Sequence, residues 1–284
     1  MITCLQTCFA RNTYGVGYDE KLSDMSARLK SVLAVNGDSY SNSRHKNNGT
    51  IIRNGVIYRA RQTDMETCVL NWDGTMKIYN PEEINTQQLI DSGAYQSWIF
   101  GPSLLDENGK AKTTFQTWSY ITESHPRTAI GYYEPGHYCL LVADGRQDSS
   151  RGMFLDEMAA LFEQLGCKAA YNLDGGHCSF MTLQDQVINH PYKSEHKVED
   201  GIFINGGTPM KGIDIMKIIA GHICVICSIS FVIIQILDWF NPFMDFMGHS
   251  MFLLDALCIA SVFLGVCEIY FRKPEAKKRA LRKK

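Results

Sequence analysis

The chain has 284 residues, 45% of them hydrophobic and 20% charged. Those proportions exclude a disordered, collagen-like or disulfide-stapled miniature protein and leave room for one large domain, or a medium domain with an appendage. Lys and Arg number 28 against 30 Asp and Glu, a formal charge of -2, which argues against the basic stripe of a nucleic-acid partner.

From the N-terminus, SVLAV (31–35) is a short apolar run stopped by the turn residues Asn36, Gly37 and Asp38. Residues 50–60 form a predicted hairpin with Asn54-Gly55 at its tip, and 68–79 repeat the pattern around Asp73-Gly74. RTAIGYY (127–133) and HYCLLVA (137–143) flank Glu134-Pro135-Gly136 as a third hairpin. A helix is predicted from about 154 to 165, where Leu155, Met158, Ala159 and Phe162 recur at helical spacing and Gly166 follows as a cap. KAAYNL (168–173) then reads as a strand running into Asp174, Gly175 and Gly176. Hairpin-joined strands with added helices predict an α+β domain over residues 1–208, with a mixed, largely antiparallel sheet and packed helices.

The remainder differs in composition. Residues 218–237 are twenty positions without a formal charge, enough at the rise of a helix to span about 30 Å. A second apolar stretch, 251–271, is interrupted only by Asp255 and Glu268, and Trp239, Phe240 and Phe243 lie between the two. The expectation is a C-terminal transmembrane helical hairpin, about 218–238 and 251–271, within a region 209–271. A basic tail, 272–284, follows with eight Lys and Arg. A buried helical hairpin is the competing reading. The first implies a multi-pass membrane protein with lipid as a partner, and Lys211, Lys217 and the tail put both flanks on the cytoplasmic side.

Three Asp-containing turns carry the chemistry. Each follows an apolar strand, where a carboxylate is held rigidly and adjacent glycines allow close approach. Taken singly, Asp-Gly and Asn-Gly are ordinary turn dipeptides. Together, Asp38, Asp144 and Asp174 are candidate catalytic carboxylates for a sugar or phosphate ester. A glycosidic bond needs one carboxyl group to protonate the leaving oxygen and a second to attack or to activate water. An anionic substrate calls for guanidinium groups, and Arg53, Arg127 and Arg146 are the candidates; for Arg53 a structural ion pair is the plainer reading. His177 is either an acid/base near neutrality or a hydrogen-bonded core histidine. The ten cysteines show no zinc-like pairing, and MITCLQTCFARN lacks the order of a signal peptide.

The blocks AVNGDSYS, GTIIRNGVIYR, FGPSLLDENGK, HPRTAIGYY, LLVADGRQ and GMFLDEMAALFEQLGCKAAYNLDGGHCSFM together resemble the phosphodiester glycosidase family over residues 6–205. The resemblance implies hydrolysis of a sugar-1-phosphate diester at the anomeric carbon, releasing sugar from a phosphorylated glycan or related acceptor. Bacterial members are linked to exopolysaccharide. The family's shared polar residues fall on Asn36, Gly37, Asp38, Arg127, Asp144, Arg146, Asn172, Asp174, Gly175 and Gly176. In that reading Asp174 and Asp144 are the acid/base pair, Arg127 and Arg146 clamp the phosphate, and Asn36 and Asp38 orient sugar hydroxyls. The sequence departs from the family after NLDGG, where His177, Cys178 and Ser179 replace a third Gly and a Ser pair, and at Phe154, where a Thr would cap the helix. The comparison also implies that the chain begins inside the domain, without the family's first strands. Family members work outside the cytoplasm, against the charge pattern, which leaves the side of the membrane open. No cofactor is implied. Two other readings stand: a phosphodiesterase whose Asp turns hold Ca2+ or Mg2+, and a non-catalytic, membrane-anchored glycan-binding module.

Overall fold

The computed structural model describes residues 4–41 and 47–206, with scattered residues between 220 and 261. The chain divides into two units, Met1–Gly207 and Thr208–Lys284. In the first, the hairpins fall where the turn dipeptides place them. Thr50–Arg53 pairs with Val56–Ala60 across Asn54-Gly55, and Thr67–Asn71 pairs with Met76–Tyr79 across Asp73-Gly74. Arg127–Glu134 likewise pairs with His137–Ala143.

Three larger antiparallel sheets result. Five strands run in the order Leu5–Phe9, Asp200–Ile204, Leu33–Asn36, Met181–Leu183 and Gln186–Val187. His137–Ala143, Arg127–Glu134 and Ala169–Asn172 form a second sheet, and Met76–Tyr79, Thr67–Asn71 and Ala94–Trp98 a third. Their inner faces meet in one core of Val35, Leu70, Trp98, Ile130, Tyr171, Leu173 and Ile202.

The helix Leu155–Gln164 lays Leu155, Met158, Ala159 and Phe162 on Ala129 and Ala170. Each large side chain buried there contributes about 1.5–3 kcal/mol. Gly131 makes room for it: a Cβ there would stand 2.6 Å from the Phe162 ring. Without a Thr at its start, the helix is capped by Glu157, which accepts from the Phe154 N–H at 3.0 Å. It ends in a Schellman motif, with Cys167 N donating to Phe162 O and Gly166 N to Glu163 O around a left-handed Gly166.

The mixed strand-and-helix architecture is therefore present, and the appended transmembrane hairpin is corrected. An apolar run meets the length criterion only if one continuous helix carries it, and among the described residues no helix is long and apolar enough to cross a membrane. The multi-pass membrane localisation and the lipid partner expected from that run fall with it. Residues 241–255 and the tail 272–284 lie outside the described residues.

Candidate active site

Antiparallel pairing sets Arg127 opposite Ala143 and Ala129 opposite Asn172, so the segments carrying Asp144, Arg146 and Asp174 leave the same end of one sheet. They cross there at van der Waals limits. A Cβ on Gly145 would lie 2.8 Å from Pro126 N, on Gly175 2.9 Å from Pro126 O, and on Gly152 2.4 Å from the His125 carbonyl. Only hydrogen fits at these positions. Gly176 N donates to Pro126 O at 2.8 Å and closes the crossing.

The first Asp turn abuts it from the five-stranded sheet. Asn36 is buried; its Nδ2 donates to Asp174 O at 2.6 Å, and its Oδ1 accepts from Thr128 Oγ1 at 2.7 Å and Phe180 N at 3.3 Å. Gly37 O accepts from Asp174 N at 3.1 Å, and a Cβ on Gly37 would stand 2.3 Å from Asp200 Oδ1. Asp38 is only 2% exposed and accepts from the Ile99 and Phe100 N–H groups. Arg53 Nη2 bridges Asp38 Oδ2 at 3.2 Å and Asp200 Oδ2 at 2.5 Å, and its Nη1 donates to the carbonyls of Ile52 and Ser97. Burial pushes both carboxyls up in pKa and Arg53 draws them back down. The structure thus places Asn36, Gly37 and Asp38 in the interior with protein partners, and Arg53 in a buried ion pair.

The other two arginines are held differently. Arg127 is 2% exposed yet donates only to backbone carbonyls: Nε to Met153 O at 3.0 Å, Nη2 to Ile121 O at 2.6 Å and to Glu123 O at 2.5 Å. Burial first, then the charge of Arg146, pulls its pKa down to about 10. Arg146 is exposed and left-handed in backbone, with φ of 60°. Its Nη1 donates to Tyr192 Oη at 2.9 Å and its Nη2 to His125 Nδ1 at 3.2 Å. The guanidinium lies against Gly176, where a Cβ would meet it at 3.2 Å. His125 Nε2 sits 2.6 Å from Tyr120 O. Since a carbonyl only accepts, Nε2 carries the proton and Nδ1 is free to accept from Arg146. Burial, then Arg127 and Arg146, hold His125 below its usual pKa. Among the described residues, neither Arg127 nor Arg146 is paired with a carboxylate.

Asp174 keeps some solvent access, but the protein around it pushes its carboxyl up to about 7. Burial dominates, the Cys178 thiol and Gly175 N–H pull the other way, and the charges of Glu199 and Asp38 push further up. The Cys178 thiol is itself pushed far up by burial and by Asp174. Asp144 accepts on both oxygens, from Asn189 Nδ2 at 2.8 Å and His190 N at 2.9 Å. Asn172 is fully buried; its Nδ2 donates to Gly101 O at 2.7 Å, while Oδ1 has no partner among the described residues. Ser179 Oγ, equally buried, has none either. His177 Nε2 donates to Ser194 O at 3.0 Å, and the ring stacks on His196 at 4.6 Å, with Tyr192 5.4 Å away. Among the described residues no three His, Cys, Asp or Glu come together as metal ligands.

Sequence reasoning did not single out His125, Tyr192 and Glu199, and met Cys178 only as a departure from the family pattern. Glu199 left a signal as the first of two adjacent acids opening an apolar strand, one for each side of the backbone.

The fold and this crossing define a family. The phosphodiester glycosidase model matches residues 30–205, and the chain belongs to that family. A prophage-derived protein of Bacillus subtilis, YomE, is 33% identical over 197 residues, 66% of this chain; the chain spans 29% of that relative's length. Among solved structures, one similar fold is the catalytic domain of zebrafish N-acetylglucosamine-1-phosphodiester α-N-acetylglucosaminidase, auto-inhibited by its pro-peptide. The TM-score is 0.60 at 19% identity, covering 72% of this chain and 73% of that one. A Burkholderia pseudomallei protein matches at a TM-score of 0.53 and 13% identity, over 71% of each chain.

Proposed function

We propose that the chain hydrolyses the glycosidic bond of a sugar-1-phosphate diester, releasing free sugar and leaving the phosphate on its acceptor. The observation that carries this reading is a carboxyl group held near neutrality, Asp174, on the same glycine crossing as two guanidinium groups with no carboxylate partner. Guanidinium groups without a carboxylate partner favour an anion, and the guanidinium fork matches phosphate oxygens.

Asp174 is the general acid. A phosphomonoester leaving group has a second pKa of about 6, close to the value of about 7 for Asp174, so the proton passes between them with little energetic bias. Arg146 and Arg127 stabilise the charge that gathers on the phosphate as the bond breaks. The polar atoms of Asn36 and Gly37 hold the Asp174 turn in place. Asp144 anchors residues 189–190, which carry Tyr192 to Arg146.

Incubating the purified protein with a methylphosphoryl ester of N-acetylglucosamine tests the reading through product identity. Free sugar with methyl phosphate is the expected result. Sugar 1-phosphate would mean cleavage of the phosphorus–oxygen bond and would overturn it, as would binding without turnover.

A further inference from the structure

We infer that Glu199 is the second working carboxylate of this site, the base that activates the attacking water, and that Asp144 is a positioning residue. The inference rests on the reading of the site as a glycosidase.

Glu199 lies immediately before the strand Asp200–Ile204, partly buried. Its Oε2 accepts from Ser41 N at 2.8 Å and its Oε1 from Ser41 Oγ at 2.5 Å. The path to Asp174 is short. Asp200 O accepts from Gly37 N, and Gly37 O accepts from Asp174 N, both at 3.1 Å. One residue therefore ties together the main chains that carry the two acids, and the segment from it to Ser41 fixes the Glu199 carboxylate. The charge of Glu199 also acts on both Asp174 and Cys178. The other groups acting on Glu199 are Asp200, Ser41 and the backbone at Tyr40. Burial raises its own pKa while the two Ser41 donors favour the ionised form, a balance suited to a base.

Asp144 is tied elsewhere: its two oxygens accept from the 189–190 segment, not from the 37–41 segment that bonds to Asp174 and holds Glu199, and it is not among the groups that dominate Asp174. Its placement holds a loop.

In the step itself, Asp174 gives its proton to the phosphate oxygen bonded to the anomeric carbon as that carbon–oxygen bond breaks, its electron pair going to the oxygen. Water forms the new bond to the carbon and gives its proton to Glu199. The products are the free sugar and a phosphomonoester, and solvent returns the proton from Glu199 to Asp174.

The test compares Glu199→Gln, Ser41→Ala and Asp144→Asn on the methylphosphoryl sugar, with the carboxyl titration of Asp174 followed by 13C NMR. Glu199→Gln should lower kcat about 100-fold or more, erase the acid limb of kcat/KM, and regain activity with added formate or azide. Ser41→Ala keeps the carboxylate and should move the acid limb to higher pH with kcat largely retained. Asp144→Asn should raise KM more than it lowers kcat. In Glu199→Gln the Asp174 midpoint should fall, because a neighbouring negative charge is gone. Retained activity with an unchanged acid limb, or an unmoved Asp174 midpoint, overturns the inference. Should the wild-type protein release no sugar, the glycosidase reading fails on its own, and the titration still decides whether the two acids are coupled.

Discussion

Two arginine-bearing regions lie close together in this domain and treat their charge in opposite ways. Arg53 is sealed between Asp38 and Asp200, with its remaining donors on carbonyls, and takes all its partners from within the protein. Arg127 and Arg146 influence each other, and Arg127 pays for burial with carbonyl bonds alone. A buried charge is tolerated when it is paired and hydrogen-bonded. The first region meets that condition and acts as a joint between segments; the second leaves a positive field that a bound anion would neutralise. The contrast separates scaffold from site more cleanly than burial does, since Arg53 and Arg127 are both 2% exposed.

Three substitutions sharpen this contrast. Arg53→Met leaves Asp38 and Asp200 facing each other without a cation and should cost about 3–5 kcal/mol of unfolding free energy by urea titration. A loss under about 1 kcal/mol would erase the distinction drawn here. Arg146→Ala should leave stability within about 1 kcal/mol of wild type, because the side chain is exposed, and reduce kcat about 100-fold, as loss of one preorganised donor does. Asp174→Asn gives the least intuitive effect on the fold. The folded carboxyl titrates at about 7, against about 3.9 in the unfolded chain. Between these values the native state binds the extra proton, so stability declines as pH rises and the penalty is complete above pH 7. The variant removes that penalty, and its melting temperature should exceed wild type by about 8 °C or more at pH 8 and by little at pH 4.

Local chemistry explains which parts were legible beforehand. Asn54-Gly55 and Asp73-Gly74 specify tight turns whatever surrounds them, and the spacing of Leu155, Met158, Ala159 and Phe162 specifies a buried helical face. The blocks around NLDGG and DGR pointed to the crossing because glycine is required wherever backbones touch. Asp200 holds Arg53 across 147 residues and Asn189 holds Asp144 across 45, and no local pattern encodes such partners. The Asp144 and Asp38 carboxylates looked alike in sequence for that reason, and only their contacts distinguish them from Asp174. The apolar run after residue 217 misled in the other direction: composition suggests a span, whereas among the described residues no helix is long and apolar enough to cross a membrane.

Arg146 occupies a left-handed backbone conformation that a glycine adopts freely and a larger residue adopts at some energetic expense, of order 1 kcal/mol or more. Selection for heat resistance alone would push this position toward glycine and silence it. An engineer seeking a hardier version of the domain should therefore exempt residue 146 from any consensus or turn-optimising scheme, and should read a gain in melting temperature there as a warning that the anion cradle has been emptied.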